Sequence, residues 1–345
     1  MKLSIGIPTY NRCNYLDRLL SLLFEEEKIS EVEIIISDNA SEDLTESIVK
    51  KWQKKLLNIN YVKNKKNIGF DRNLENTIKN ANGEYIWILG DDDGIVHGSL
   101  SKLLDSINTE EDVLILNGFF CNSNLDILRN RNGVEVQEDI EFKVEKIEDL
   151  VSYVKLIKND ISFLFAFISG LVIKKKKWLD IISKEMEFNR TGYDHVFIII
   201  SILSKGGNFK YLKDSYYLAA ESMNEHTKEP GKHFLLDVEC FYKFFNFYTQ
   251  NQILRKEIGR VFKNSSTVIN FINLISYSKK INNQQQLDEY LKYFFLEKEK
   301  KYKLARLICF FRLDKFLPIA RKIKRMKEKK YEKRRDVKTR NIRKN

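Results

Sequence analysis

Over residues 1–120, short apolar runs alternate with stretches of helical apolar spacing, and the links between them are short. No other feature constrains the fold of this chain as strongly. Residues 2–8 are an apolar run, and residues 14–24 place Tyr15, Leu16, Leu19, Leu20 and Leu23 on one side of a helix. Residues 31–37 contain Val-Glu-Ile-Ile-Ile, the composition of a strand buried on both faces. Ser41 is placed to cap a helix running through Trp52. Residues 59–63 read as a strand, 73–81 as a helix stopped by Asn82-Gly83, 84–89 as a strand, 99–107 as a helix and 112–117 as a strand. This alternation predicts an α/β fold, a mostly parallel sheet covered by helices on both faces. After Phe120 the pattern loosens. Residues 122–133 read as loop, 147–158 as helix, 163–174 as strand, 193–204 as a strongly apolar helix and 209–218 as a closing strand. From residue 232 onward the chain reads as helical and rich in Phe and Tyr.

In open α/β sheets ligands bind beyond the carboxyl ends of the strands. Four polar clusters fall at such ends: Thr9-Tyr10-Asn11-Arg12, Asp38-Asn39, Asn67-Ile68-Gly69 and Asp91-Asp92-Asp93. Asp38 can simply form a turn, or it can accept hydrogen bonds from a nucleobase N–H or ribose hydroxyls. Three adjacent carboxylates repel one another, and a bound divalent cation removes that repulsion. Mg²⁺ and Mn²⁺ favour carboxylate oxygens and bridge to substrate phosphates. The chain has no G-x-x-x-x-G-K-[ST] loop and no G-x-G-x-x-G turn, so other nucleotide-binding designs fit it less well.

Four segments resemble glycosyltransferase family 2, whose members have the GT-A fold. They are Ser4-Ile5-Gly6-Ile7-Pro8-Thr9-Tyr10-Asn11-Arg12, Ile36-Ser37-Asp38-Asn39-Ala40-Ser41, Asn67-Ile68-Gly69-Phe70-Asp71-Arg72-Asn73 and Gly83-Glu84-Tyr85-Ile86-Trp87-Ile88-Leu89-Gly90-Asp91-Asp92-Asp93. The region looks most like the abequosyltransferase-like subset that builds bacterial O-antigen and capsule chains. The resemblance implies that Pro8, Thr9 and Tyr10 line a nucleotide pocket with Arg12 beside them, and that Asp38 holds the base. It puts Asn67 and Asn73 by the nucleotide, with Gly69 allowing close backbone approach. Asp91 and Asp93 become the outer pair of the acidic motif, on the sugar-ribose side and on the metal. The register is open by one residue, so Asp92 joins the substrate side. The implied reaction is inverting transfer from a nucleoside diphosphate-sugar, UDP by default, assisted by Mn²⁺ or Mg²⁺. Leaving-group charge calls for a dication and the acceptor hydroxyl for a base. Asp194, before His195, is the base candidate, and it equally suits the cap of the following helix. His226 is the candidate that completes the metal shell. Residues 167–173 resemble the stretch beside the acceptor, where Ser169 and Gly170 can face the cleft.

The net charge of +12 belongs to the tail: from Lys300 onward 20 Lys and Arg stand against 4 Asp and Glu, while the first 299 residues carry 40 against 44. Leu304, Leu307, Ile308 and Phe311 give this basic stretch an apolar face, a pattern suited to an anionic membrane surface. A lipid-linked oligosaccharide acceptor would make such docking useful. The apolar, uncharged run over residues 161–173 is shorter than the roughly 20 residues of a membrane span. Cys13, Cys121, Cys240 and Cys309 are widely spaced, which predicts free thiols in a reducing compartment and argues against a zinc site. Residues 1–8 read as a strand and not as a secretion signal. The expected location is therefore cytoplasmic, peripheral at the inner face of the cell membrane. The expected division is a GT-A domain over 1–225 and a helical region with a basic amphipathic tail over 226–345, with an aromatic stretch at 241–248 able to meet a second copy. Specific nucleic-acid binding is not expected, because the body is acidic and binding by the tail alone is nonspecific and salt-sensitive. A nucleic-acid-binding protein working through the tail and a nucleotide-sugar-binding protein without turnover are the competing readings.

Overall fold

A computed structural model describes residues 1–108, 110–182, 192–220, 231–295 and 300–310. The first half alternates as expected: β1 Leu3–Thr9, α1 Cys13–Phe24, β2 Glu33–Asp38, α2 Thr45–Gln53, β3 Ile59–Lys63, α3 Phe70–Asn80 and β4 Tyr85–Ile88. β1, β2 and β4 are buried along their whole length, which explains their continuous apolar runs. Successive side chains still point to opposite faces. Ile34 and Ile36 join one apolar cluster and Ile35 the other; Tyr85 and Trp87 likewise part from Ile86 and Ile88. α1 covers the first face with Leu16, Leu19, Leu20 and Leu23, and α3 covers the second with Leu74 and Ile78. Ser41 does not cap α2. That helix starts at Thr45, whose N–H is taken by Asp43, and the Ser41 hydroxyl instead accepts the Asn11 N–H.

The second half adds β5 Gly94–Ile95, α4 Ser99–Ser106, β6 Val113–Cys121, β7 Ile127–Asn130, β8 Ile140–Val144, α5 Leu150–Leu156, β9 Leu171–Lys174, α6 Lys175–Ile182, α7 Asp194–Ser204 and β10 Gly207–Ala220. The main path of the sheet runs β3-β2-β1-β4-β9-β6-β10-β5, with β7 on β6 and β8 on β10. β3, β2, β1 and β4 are parallel neighbours, as expected. β9 enters antiparallel between β4 and β6, so the whole sheet is mixed. The stretch expected as one long strand at 163–174 spends its first part in two 3₁₀ turns, Ile161–Phe163 and Ile168–Gly170. The stretch expected as loop after residue 122 contains β7, all four residues of which are exposed and so show no apolar alternation.

Among the described residues five helices follow: α8 Lys232–Tyr248, α9 Gln252–Ser265, α10 Val268–Lys280, α11 Gln284–Phe295 and α12 Lys300–Phe310. They share one apolar cluster with the sheet, running from Val113 and Phe209 through Ile199 to Phe241, Phe262 and Phe271. Arg260 ties α9 to the end of α5, donating to the carbonyls of Ile157 and Val154 at 2.9 and 2.8 Å. α9 and α11 come together at Gly259, where a Cβ would lie 2.1 Å from the Phe294 carbonyl oxygen. Because that neighbour is backbone, it cannot swing away. Gly259→Ala is expected to lower stability by about 1–3 kcal/mol through overpacking. Urea unfolding of the full chain checks this.

Candidate active site

β1 and β4 part at the end of the sheet. Their last rung is the Leu89 N–H on the Gly6 carbonyl, and Pro8, which has no N–H to offer, follows just beyond. From β1 the chain order runs outward to β2 and β3 on one side and to β4 on the other. Such a reversal is where α/β sheets open a crevice. Thr9 stands at its lip. Its carbonyl accepts the Asn39 N–H at 2.9 Å, and its hydroxyl donates to Asp91 Oδ2 at 2.7 Å. The β2 end and the triple aspartate thus meet across one residue.

Asp91 and Asp93 are buried, each with a side chain about 5% exposed or less as a residue, while the Asp92 side chain is 19% exposed. Arg12 bridges Asp91 Oδ1 at 3.0 Å and Asp92 Oδ2 at 3.1 Å. Among the described residues no ion pair of this kind holds Asp93: its oxygens accept the Ser169 hydroxyl and the Ala220 N–H, the latter at 2.9 Å. Burial pushes the Asp91 carboxyl up to about 6 against the pull of Arg12, with Asp92 adding to the rise. Burial and then Asp92 push Asp93 up to about 7. Both acids therefore carry a cost of ionisation that a bound cation would lift. Oxygen donors of this kind suit Mg²⁺ or Mn²⁺. Among the described residues no group of three or more His, Cys, Asp or Glu side chains forms a metal shell of its own. The arrangement thus fits a cation that takes most of its ligands from water and substrate. His226 lies outside the described residues.

The other clusters close a ring around this point. Asn39 donates to Asn67 Oδ1 at 2.9 Å and to the Gly69 carbonyl at 3.3 Å. Gly69 has φ 84° and ψ 164°, a backbone state open essentially to glycine alone, and it leads into α3. Asp71, in the first turn of α3, accepts the Gly192 N–H at 2.8 Å and the Asp194 N–H at 3.4 Å. His195 Nε2 meets the Ala166 carbonyl at 3.1 Å, and three residues on Ser169 returns to Asp93. Burial lowers His195 to about 4, so the ring is neutral and cannot repel a cation. Three non-glycine residues in left-handed backbone, Asn11, Ala40 and Phe165, lie in the loops of this ring. Such strain clusters at functional sites.

Two expectations change on contact with the geometry. Asn73 is not open to a ligand: it is buried, its amide donating to the Ser37 carbonyl and its oxygen accepting from Ser37 and Asn64. It pins α3 to β2. Asp38 is fully buried, with Oδ1 taking the Ser41 N–H at 2.8 Å and Oδ2 the Tyr61 hydroxyl at 2.6 Å. Its turn-forming role is therefore explicit. Tyr10, Asn67 and Gly69 are exposed, and Arg12 is partly so. Asp71 sat inside a motif already singled out from the sequence. Arg131 had no sequence signal: it is buried behind the site, paired with Asp160 at 3.0 Å and enclosed by the rings of Phe120, Phe163, Phe167 and Tyr217.

With that geometry in place, the likeness to known proteins falls into line. A profile described as Glycosyl transferase family 2 matches residues 4–142. Abequosyltransferase RfbV of Salmonella typhimurium is 32% identical over 267 residues, which is 76% of this chain and 80% of that protein. A GalNAc(5)-diNAcBac-PP-undecaprenol beta-1,3-glucosyltransferase of Campylobacter jejuni is 35% identical over 108 residues, 31% of this chain and 35% of its own. Among solved structures, residues 1–349 of TarS from S. aureus in complex with UDP-GlcNAc match with a TM-score of 0.59 at 17% identity, over 85% of this chain and 82% of that one. The mannosyltransferase PcManGT from Pyrobaculum calidifontis, solved with GDP-Man and Mn²⁺, matches with a TM-score of 0.50 at 14% identity, over 89% and 86%. At these identities the solved structures speak for the fold, which is GT-A.

Ser169 is the side chain that joins the two halves of the ring, since its hydroxyl also accepts the Gly90 N–H at 2.9 Å. Ser169→Ala leaves that N–H and one Asp93 oxygen without their partner. It is expected to cost about 1–3 kcal/mol, the usual penalty for stranded buried polar groups, measured by chemical unfolding.

Proposed function

We propose, on the premise that this chain belongs to glycosyl transferase family 2 and is a glycosyltransferase, that it moves a sugar from a nucleoside diphosphate carrier to a hydroxyl of a bacterial surface-glycan precursor, inverting the anomeric carbon. The observation that carries this reading is the pair of buried, cation-seeking carboxylates at the parting of β1 and β4. UDP is the default carrier; the TarS structure with UDP-GlcNAc is consistent with it, and the GDP-Man complex of the Pyrobaculum enzyme keeps other nucleotides open.

In this reading Pro8, Thr9, Tyr10 and Arg12 line one side of the nucleotide pocket and Asn67 and Gly69 the other. Asp38 and Asn73 hold the wall from behind. Asp91 and Asp92 face the sugar and ribose. Asp93 holds Mn²⁺ or Mg²⁺, which when bound offsets the negative charge of the departing diphosphate. Arg12 bridges two of the three acids, and it supplies a second positive charge at the same end of the cleft. The acceptor oxygen forms its bond to the anomeric carbon as the bond to the diphosphate breaks. A carboxylate on the arc Gly192–His195, where Asp194 opens α7, takes the proton.

The acceptor is proposed to be lipid-linked and met at the inner face of the membrane. Among the described residues no helix is long and apolar enough to cross a bilayer. α12 exposes Leu304 and Leu307, which stand among Lys303 and Arg306 at the start of the basic tail. Such a face binds anionic lipid by charge and by shallow apolar burial.

Two outcomes test this. A panel of nucleoside diphosphates with and without Mn²⁺ should show one nucleotide raising the melting midpoint in a metal-dependent way, since only a ligand of the native state does so. Asp93→Ala should remove both that shift and turnover while the unliganded chain still unfolds cooperatively, at a midpoint lowered by the loss of the Ser169 and Ala220 contacts. A midpoint that no nucleotide moves speaks against the donor reading. Deletion of residues 322–345 should weaken sedimentation with phosphatidylglycerol vesicles and leave the low binding to phosphatidylcholine vesicles unchanged; equal binding to both kinds by both chains contradicts the membrane role.

A further inference from the structure

Arg131 is a buried cation that the reaction proposed above does not use. It directly follows β7, it is 5% exposed, and its backbone N–H donates to the Gly118 carbonyl of β6 at 3.1 Å. A charge taken this far out of water is costly, and a buried ion pair is poor evidence of a gain in stability. Among the described residues one carboxylate, Asp160, pairs with it, and its Nε finds no hydrogen-bond partner. Such a group calls for a task.

Its contacts point to one. Among the described residues Asp93 accepts from the Ser169 hydroxyl and the Ala220 N–H, and Arg131 touches the chain just before each of them. Its guanidinium lies 4.3 Å from the ring centroid of Phe167, two residues before Ser169. Its Nη1 donates to the hydroxyl of Tyr217, three residues before Ala220. Phe167 and Tyr217 in turn stack on each other, with centroids 5.2 Å apart. The Tyr217 hydroxyl also closes over the turn Ile168–Gly170, since a Cβ on Gly170 would lie 3.2 Å from it. The end of β10 needs such a hold: its pairing with β6 shifts register twice between Leu212 and Tyr217, so the backbone ladder is interrupted there.

We propose that Arg131 is a positioning residue that clamps the Ser169 turn to the end of β10 and so holds Asp93 in the orientation that receives the cation. The inference rests on the metal-assisted reading of the site and gives Arg131 no contact with substrate. A planar guanidinium serves Tyr217 through Nη1 while Nη2 serves Asp160 and Ser162. Lysine keeps the charge but offers a single nitrogen in place of the fork. Removing a group that orients a metal ligand from behind typically costs about 10–100-fold in metal affinity.

The test uses the full chain and reads the melting midpoint rather than turnover. UDP, CDP, dTDP and GDP are each titrated with MnCl₂, and the nucleotide that moves the wild-type midpoint is carried through the variants. Arg131→Lys should raise the Mn²⁺ concentration that gives half of the shift by about 10-fold. Ser169→Ala should raise it as well. The two changes together should cost less than the product of the two alone, the sign that Arg131 acts through the Ser169 turn. A lowered midpoint with an unchanged Mn²⁺ titration overturns the inference and leaves Arg131 a structural residue; costs that multiply in the double variant overturn it too. Where Arg131→Lys does not fold, Tyr217→Phe takes its place, since it keeps the ring and removes only the hydroxyl: a raised Mn²⁺ requirement supports the clamp and an unchanged one overturns it. A wild type whose midpoint no nucleotide moves in a metal-dependent way removes the donor reading and this inference together, whereas a responsive wild type with equally responsive variants removes the inference alone.

Discussion

Carboxylates set side by side at the end of a buried strand repel one another, and burial makes each harder to ionise. The upper end of this sheet is built around that conflict. Thr9 and Arg12 hold Asp91, Arg12 also holds Asp92, and Ser169 and the Ala220 N–H hold Asp93. These partners come from β1, from the turn before β9 and from the end of β10, so the acids fix how three distant parts of the chain meet. Hydrogen bonds hold the acids in place without neutralising all three. The charge left over suits the cation proposed for this place.

The same contacts explain why the strands part where they do. β1 and β4 can stay paired only as far as Gly6 and Ile88. Beyond that rung, side chains replace the backbone ladder. The ring that runs through Asn39, Asn67, Asp71, His195 and Ser169 is the substitute, and nearly every link in it is a side chain speaking to a backbone group. Backbone amides are fixed by the scaffold, so a ring made this way holds its shape before any ligand arrives.

What could be read in the sequence follows from the range of each interaction. Strands β1 to β4 and helices α1 to α3 have local signals: continuous apolar runs, a one-sided Leu stripe, a Gly where the backbone takes a state that other residues avoid. The four polar clusters were legible because they sit directly after those runs. The antiparallel entry of β9 was not, since nothing in Leu171–Lys174 tells which neighbours it will find. The cap assigned to Ser41 failed for a similar reason: Asn11, thirty residues earlier, claimed its hydroxyl. For Asn73 and Asp38 the sequence shows residue type and not whether the polar atoms are already taken up within the protein. Arg131 carries no motif at all; its meaning lies in a partner 29 residues away.

The main path of the sheet begins at β3 and closes at β5, and both ends are short: five residues in one, two in the other. β3 ends in Lys63, with Lys65 and Lys66 close behind, and β5 pairs only through Ile95 and Gly94. A long, flat, uncharged border would invite another chain to add a strand and seed aggregation. These two borders give a newcomer little backbone to grip and, at β3, a row of positive charge to overcome. At these two borders the sheet therefore offers little template for a second copy of the chain to extend.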